Sequence, residues 1–428
     1  MDVVLHHLQQ AQVVVVDPQA SDGLLSYTMS ILPRHETPVI VHAGSDAAAM
    51  VAHLSTLPQR RMFTHEDPLP PVHVTDASSA LLLERAAWAG TQARAHASTL
   101  SETETEAVCA AASVSVTPRV RSLLSSMSEG RGETQGAPGT KVLCMTYTHA
   151  PRMANAAGIA ASWGARCDGY LAFTDDDMGH AFGIVLESPN WTSGGEEWSK
   201  ENYDNMWFKT ALIWSIAGNS RLLGAFDYFL VGGDDLYVHV GHLRSLLESP
   251  AVAARTAAGL PLYMGRVGRQ NAYLHSFNMG GAGYVLNRAS VSEFVRLINI
   301  GRDTVIAPAS RRNPCVVGIR TAMEDLMVAH CLHHAGIDPW VPSNADLAAL
   351  LGSSTAAASA SPEGVGNHIP DEALFLPWHL DQVGSLQHAV LASMTNTTEG
   401  VTVPAANTVS FQDVKTVEEM RCIHALLF

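Results

Sequence analysis

The stretch Phe226-Asp-Tyr-Phe-Leu-Val-Gly-Gly-Asp-Asp-Leu-Tyr-Val238 decides how the rest of the sequence is interpreted. Its first half is short, apolar and rich in aromatic and β-branched residues, which predicts a buried strand. This strand ends in Gly232 and Gly233 and then in two adjacent carboxylates, Asp234 and Asp235. Such carboxylates are costly unless a cation satisfies them. Because open α/β sheets bind ligands at this end of their strands, the pattern predicts a divalent metal carrying a phosphate.

The acidic residues of the chain also have plainer interpretations. Gly-Gly-Asp-Asp is ordinary turn chemistry after a strand. A second acidic run, 175–177, is followed by Met-Gly-His and is interpreted as a solvated loop. Glu324 and Asp325 open a predicted helix, where carboxylates are favoured by the helix dipole and by capping. The functional alternative for this pair is general-base chemistry by Asp325.

The composition of the chain limits the classes of protein to which it can belong. The chain has 428 residues, of which 47% are hydrophobic and 16% charged, enough for two or three domains of about 150 residues. The net charge is −15, and no cluster of basic residues offers a track for a phosphate backbone, which argues against a nucleic-acid partner. We find neither an apolar run of about 18 residues nor a signal peptide pattern. We therefore expect either a soluble cytosolic protein or a chain that lacks its natural N-terminus.

The chain divides where its composition changes. Residues 1–124 are rich in Ala and Ser and have no assigned role, and residues 125–140 are typical of a linker. Strands and helices alternate in residues 141–400, which predicts an α/β domain with a mostly parallel central sheet flanked by helices. Residues 346–366 form a low-complexity insertion, interpreted as a disordered surface loop, and residues 401–428 form a C-terminal tail. Predicted strands of the domain include Val142–Tyr147, Gly169–Thr174 and Pro261–Arg266, and predicted helices include Arg152–Trp163, Tyr203–Ile216 and Gly241–Glu248.

Six cysteines are present and none forms a CxxC pair, which argues against a zinc ribbon. Cys144 and Cys167 bracket one compact segment, and Cys315 and Cys331 bracket another. The spacing is compatible with two disulfides and an oxidising compartment. Six buried free thiols explain the same spacing equally well.

Taken together, the motifs between about Val142 and Val341 resemble the β-1,3-glycosyltransferases of family 31. The resemblance is greatest to the core 1 β-1,3-galactosyltransferase branch, with the Fringe enzymes as near relatives, and covers roughly half of the chain. The matching segments follow the family's order. They are Val142-Leu-Cys-Met145, Ala161-Ser-Trp-Gly-Ala-Arg-Cys167, Met206-Trp-Phe-Lys-Thr210, Tyr228 to Val238, Gly280-Gly-Ala-Gly-Tyr-Val-Leu286 and Glu324-Asp325-Leu326.

The resemblance implies a GT-A fold, which is a nucleotide-binding α/β domain, and an inverting transfer of galactose from UDP-galactose. The implied acceptor is the 3-hydroxyl of an acceptor sugar, O-linked GalNAc on a glycoprotein, as in core 1 O-glycan synthesis. Mn²⁺ or Mg²⁺ is implied at the diphosphate, and disulfides are implied within Cys144/Cys167 and Cys315/Cys331. A type II membrane protein of the Golgi lumen is also implied, although no anchor is visible in this chain, and a homodimer stays open.

Roles for single residues follow from the same resemblance. Asp325, with Glu324 beside it, is expected to deprotonate the acceptor hydroxyl. The expected metal ligands are Asp235, Asp234 and His379, with His368 as the fallback for the histidine. Trp207 has a core position as its alternative role. The residues expected to contact donor or acceptor are Gly281, Ala282, Gly283, Tyr284, Trp207, Lys209 and Arg152.

Two departures from the family pattern bear on activity. Gly233 stands where the first acidic residue of the family's Asp-X-Asp motif is expected, and the C-terminal His-Pro segment is represented only by Leu376-Pro-Trp-His379. The leading hypothesis is an active UDP-galactose-dependent transferase. The alternative is a catalytically inactive homologue that acts as a folding partner or a glycan-binding protein. A transferase that uses another donor, such as UDP-GlcNAc, also stays open.

Overall fold

The structure is a computed structural model that describes residues 14–16, 39–41, 78–87, 102–112, 121, 124, 140–149, 152–174, 182–186, 206–268, 276–303, 315, 323–341, 375–376 and 408–427. The acidic run 175–177, the insertion 346–366, and both His368 and His379 lie outside these residues. So does the predicted linker, apart from Thr140.

The described strands are short, and most are buried. They are β1 (Val14–Val16), β2 (Val39–Val41), β3 (Val142–Tyr147), β4 (Gly169–Thr174), β5 (Gly183–Val185), β6 (Tyr228–Gly233), β7 (Tyr237–Val238), β8 (Tyr263–Gly265), β9 (Val267–Gly268), β10 (Phe277–Asn278), β11 (Tyr284–Asn287), β12 (Phe375–Leu376) and β13 (Ser410–Phe411).

The described helices connect and cover these strands. They are α1 (78–87), α2 (Glu102–Ala111), α3 (Met153–Ala160), α4 (Met206–Gly218), α5 (Leu222–Ala225), α6 (Val240–Leu247), α7 (Pro250–Ala257), α8 (Arg288–Asp303), α9 (Glu324–His334) and α10 (Val417–Leu427). Short 3₁₀ turns occur at Trp163–Arg166 and Gly280–Ala282. Among the described residues, no helix combines the length and the apolar character needed to cross a membrane.

The central sheet has six strands in the order β5-β4-β3-β6-β11-β8. The first four are mutually parallel, whereas β11 runs antiparallel to both β6 and β8. This is the mixed α/β architecture with a mostly parallel sheet that the sequence predicts, and it is compatible with a GT-A-like fold. The parallel arrangement places the ends of β3 and β6 side by side, with Tyr147 opposite Gly233.

The two faces of the sheet carry separate hydrophobic cores, because successive side chains of a strand point in opposite directions. On β3, Leu143 and Met145 pack on the face covered by α4 and α8. Val142 and Cys144 pack on the other face, with side chains of α3, α6 and α10. Helices on both faces explain why β3 and β6 are almost continuously apolar instead of alternating.

The C-terminal residues 408–427 form part of this domain. Strand β13 lies between β12 and β7 in a three-stranded sheet. Helix α10 follows it and packs against α2 and α3. A disulfide between Cys109 and Cys422 joins α2 to α10 across 313 residues. The segment that the sequence analysis interprets as a C-terminal tail therefore contributes a strand to the three-stranded sheet and a helix to the packing around α2 and α3.

The structure settles the choice between disulfides and free thiols. Cys144 is bonded to Cys167 and Cys315 to Cys331, which are the two pairs implied by the family resemblance. The Cys109–Cys422 bond is a third that the sequence does not reveal. All six cysteines are therefore paired.

Candidate functional site

Five segments meet at the carboxyl ends of β3 and β6. The residues after β3 lie beside the aspartates after β6, as the parallel register requires. The glycine-rich turn Gly280–Ala282 packs against β6, and the start of α9 contacts that turn. The residues after β13 complete the site, since the backbone N–H of Val414 donates to the carbonyl oxygen of Asp235 at 2.9 Å.

Asp234 is almost fully buried, and its carboxylate is satisfied from the loop after β3. The hydroxyl of Thr148 donates to Oδ2 at 2.6 Å, and Arg152 Nη2 lies 3.0 Å from Oδ1. Burial raises the pKa of Asp234, while Thr148 and Arg152 act in the opposite direction. Both carboxylate oxygens therefore have partners within the protein.

Asp235 is also buried, and it faces a cation from the C-terminal segment. Lys415 Nζ lies 3.4 Å from Asp235 Oδ2 and also contacts the carboxylate of Asp413. Burial acts to lower the pKa of Lys415, but the hydrogen bond that Lys415 donates to Asp413 and the charges of both carboxylates outweigh it and raise that pKa. Lys415 is thus a charged ammonium held between two carboxylates.

The second acidic pair packs on the glycine-rich turn. Gly280 N–H donates to Asp325 Oδ2 at 3.0 Å, and Leu326 N–H donates to Oδ1 at 2.8 Å. A Cβ added to Gly280 would overlap the Glu324 carboxylate. Glycine at this position is therefore what allows Glu324 to lie against the turn. The structure brings together the Gly-Gly-Ala-Gly and Glu-Asp motifs, which are 40 residues apart in the chain.

Burial dominates the electrostatics of this pair. It raises the pKa of Glu324 well above its ordinary value, and the neighbouring charge of Asp325 raises it further, while a hydrogen bond with Tyr147 acts against the shift. Burial also raises the pKa of Asp325, opposed by the N–H groups of Gly280 and Leu326. Two adjacent buried carboxyls hold one proton between them more readily than two charges. The pair can therefore accept or hold a proton.

The C-terminal strand covers the glycine-rich turn. Ser410 Oγ donates to the carbonyl oxygen of Ala282 at 2.6 Å. The side-chain amide of Gln412 lies where a Cβ on Gly281 would be. Gly283 follows with a φ of +73°, a conformation that favours glycine. Gly281 and Ala282, two of the residues expected to line the donor or acceptor, are thus packed against 408–415.

The structure corrects the expected roles of two aromatic residues. Trp207 and Tyr284 are fully buried, so neither ring can stack on a sugar. The Trp207 ring packs 6.4 Å from that of Phe294, and the Tyr284 hydroxyl accepts a hydrogen bond from Trp214 Nε1 at 3.3 Å. Both residues belong to the core under α4 and α8. Lys209 is buried on α4 as well, with 8% of its surface exposed.

Sequence reasoning missed several residues of the site. Thr148 directly follows β3, so its place at the end of a parallel strand was a usable signal. Gln412, Asp413 and Lys415 had no such signal, because β13 is only two residues long. Arg152 was expected to contact donor or acceptor, and the structure places it beside Asp234.

The described residues do not fit a divalent metal. Among them, no group of three or more His, Cys, Asp or Glu side chains could hold one. Asp234 is occupied by Arg152 and Thr148, Asp235 faces Lys415, and Gly233 supplies no carboxylate. His379 lies outside the described residues. We therefore derive no step through Mn²⁺.

The chain is similar in sequence to a known glycosyltransferase. Over 202 residues the chain is 25% identical to glycoprotein-N-acetylgalactosamine 3-beta-galactosyltransferase 1 of Xenopus laevis. The match covers 46% of this chain and 46% of that protein, so the chain spans about half the length of the relative. No protein-family model matches the chain. The similarity is distant, and it is to a glycosyltransferase.

Proposed function

We propose that the chain is an inverting glycosyltransferase that moves galactose from UDP-galactose to the 3-hydroxyl of an acceptor sugar, with O-linked GalNAc as the first acceptor to try. The observation that carries the proposal is the convergence of Glu324 and Asp325 with the glycine-rich turn at the carboxyl ends of β3 and β6. The distant similarity to a galactosyltransferase supports glycosyltransferase activity in general. The identities proposed for the donor and the acceptor rest on the resemblance of the sequence motifs.

Asp325 is the base in this proposal. Two backbone N–H groups fix the orientation of its carboxylate, and burial makes it a stronger base than an exposed aspartate. The acceptor oxygen forms a bond to the anomeric carbon while its proton passes to Asp325. The bond between that carbon and the phosphate oxygen breaks, and UDP leaves with the electron pair. Attack from the face opposite UDP inverts the configuration.

The test is acceptor-dependent release of UDP. The full chain is supplied with UDP-galactose and a GalNAc glycoside, and UDP is quantified with and without the acceptor. Release that requires the acceptor supports the proposal, and product analysis should show a β-1,3 linkage. UDP-GlcNAc serves as the second donor, because a transferase with another sugar specificity would respond to it. Silence with both donors and several acceptors would contradict the proposal.

A second candidate function is a non-catalytic one, as a folding partner or a glycan-binding protein. Two observations favour it. Asp234 is paired with Arg152 and Asp235 with Lys415, and Gly233 stands in place of an acidic residue. Its experimental sign is binding of a glycan or of a client protein without turnover of any UDP-sugar. The raised pKa values at Glu324 and Asp325 favour the enzyme, since a purely binding site has no need of a base.

The compartment belongs to the same proposal. Three disulfides support folding in an oxidising compartment, and the resemblance points to the Golgi lumen, with membrane attachment and a homodimer as further expectations. Production of the chain through a secretory pathway should yield protein without free thiols. Six reactive thiols in soluble, active protein would contradict this placement.

A further inference from the structure

We infer that Lys415 is a built-in counter-ion for Asp235, as Arg152 is for Asp234, and that a nucleotide-sugar diphosphate binds at this site without a divalent metal. The second half of this inference rests on the proposed function, whereas the first half rests on geometry alone. It departs from the manganese-dependent site that the family resemblance implies.

Lys415 lies against the carboxylate of Asp235, which is one of the expected metal ligands. Its ammonium contacts carboxylates from two separate elements, Asp235 after β6 and Asp413 after β13. A cation held by two converging carboxylates reproduces the charge arrangement of a divalent metal site with a single amine. Because a metal would have to displace this ammonium or lie beside it, the lysine opposes metal binding at Asp235.

Arg152 has the same effect on the other aspartate. Its guanidinium lies 3.0 Å from Asp234 Oδ1, while Thr148 takes Oδ2. Arginine keeps its charge throughout the accessible pH range. The buried Asp234 is therefore neutralised from within the fold, and little of its capacity as a metal ligand is left.

Gly233 matches this arrangement sterically. A Cβ added at 233 would lie 2.9 Å from Asp235 Oδ1 and 3.4 Å from the Tyr147 ring. A side chain at 233 would therefore push the Asp235 carboxylate out of its present orientation towards Lys415. The missing acidic residue and the lysine counter-ion are two parts of one rearrangement.

The cations remain available to a diphosphate. About 57% of the Lys415 side chain and 32% of the Arg152 side chain are exposed. An ammonium has three N–H donors, and the contacts with Asp235 and Asp413 use two of them. Two cations beside three carboxylates also leave far less negative charge than three bare carboxylates would. A phosphate oxygen can therefore approach Lys415 from the open side.

The first measurement concerns the metal alone. Binding of Mn²⁺ to the full chain is followed by the electron paramagnetic resonance signal of free Mn²⁺, without nucleotide. We expect at least a tenfold gain in affinity in Lys415→Ala over wild type, because Asp235 and Asp413 lose their cation. Adding Asp235→Asn to that variant should abolish the gain. Lys415→Gln, which keeps most of the side-chain volume, guards against misfolding of the alanine variant.

Lys141→Ala is the matched control, since Lys141 is an exposed lysine at the opposite end of β3. It should bind Mn²⁺ as wild type does. Tight Mn²⁺ binding by wild type that Asp235→Asn removes would overturn the counter-ion assignment. So would the absence of any gain in two folded Lys415 variants.

The second measurement concerns the donor. Calorimetry with UDP in EDTA and in Mn²⁺ should give dissociation constants within twofold of each other, and Lys415→Ala should weaken binding in EDTA about tenfold. UDP binding that requires Mn²⁺ would overturn metal-independent binding. UDP binding absent from every buffer would contradict the proposed function and the donor half of the inference. The manganese titration would still decide whether Lys415 is the counter-ion.

Discussion

The site contains two pairs of adjacent carboxyl groups, and the two pairs have different neighbours. Asp234 and Asp235 at the end of β6 face Arg152 and Lys415. Glu324 and Asp325 at the start of α9 face backbone N–H groups and each other. At Asp234 the neighbouring cation opposes the rise in pKa that burial causes, whereas at Glu324 the neighbouring carboxylate adds to it. The comparison teaches that an acidic doublet acquires its chemistry from its neighbours.

The largest effect on turnover is expected at Glu324 and Asp325, the two carboxyls at the start of α9 (the helix pair). Asp325→Asn keeps the shape of the side chain but removes the base, so turnover should fall by about 10²–10⁴ while UDP binding changes less than threefold. Steady-state kinetics and calorimetry on the same preparation separate the two. Arg296→Ala is the control, because Arg296 is an exposed residue on α8 that pairs with Glu293. Near-normal turnover of folded Asp325→Asn would remove the distinction between the two pairs.

Changes at Asp234 and Asp235, the two carboxylates at the end of β6 (the strand pair), should instead alter the free energy of unfolding. Arg152→Ala leaves Asp234 buried beside Thr148 without its cation, which should cost about 1–3 kcal/mol in the free energy of unfolding. Denaturant titration provides the measurement. The double variant Arg152→Ala/Asp234→Asn should recover part of that loss, since the buried charge is gone. A double variant as unstable as the sum of both single changes would show that the two residues do not interact.

The pH dependence of kcat/KM should reveal the raised pKa values of the helix pair. Because the pKa values of Glu324 and Asp325 are raised, the acid limb of kcat/KM should lie above the ordinary carboxyl range. Activity should be lost as the pH falls through this limb, since the base becomes protonated. Glu324→Gln removes the neighbouring charge and should move the limb to lower pH. A limb that stays in place in Glu324→Gln would mean that the two carboxyls titrate independently.

Stability should change with pH in the opposite sense to activity. A raised pKa means that the folded chain binds the proton more tightly than the unfolded chain. The contribution of the helix pair to stability is therefore fully present below the unfolded-state carboxyl pKa and is lost as the pH rises through the raised values. Glu324→Gln should flatten this dependence in thermal unfolding. A wild-type dependence identical to that of the variant would contradict the raised pKa.

Much of the central sheet and one half of the site could be predicted from the sequence. Strands at Val142–Tyr147 and Gly169–Thr174 have the predicted bounds, because long apolar runs between polar breaks carry a strong local signal. The aspartates at the end of β6 follow from the same pattern. The family resemblance implied separate roles for Glu324, Asp325 and the glycine-rich turn, whereas the contact between them is a finding of the structure.

The other half of the site depends on contacts between distant parts of the chain. Lys415 reaches Asp235 because a two-residue strand, Ser410–Phe411, pairs with β7 and because Cys422 is bonded to Cys109. Neither feature has a local pattern, since a two-residue strand is too short for periodicity and cysteine spacing does not determine connectivity over 313 residues. The full burial of Trp207 likewise follows from how α4 packs, since nearly every residue of that helix is apolar.

The most direct single measurement is acceptor-dependent UDP release from UDP-galactose in the presence of EDTA, with wild type and Asp325→Asn compared side by side. If the helix pair is the base and the strand pair already has its cations, wild type should release UDP at the rate seen with Mn²⁺, and Asp325→Asn should fall to the acceptor-free background. Release that EDTA abolishes, or that persists unchanged in Asp325→Asn, would contradict the division of labour between the two pairs.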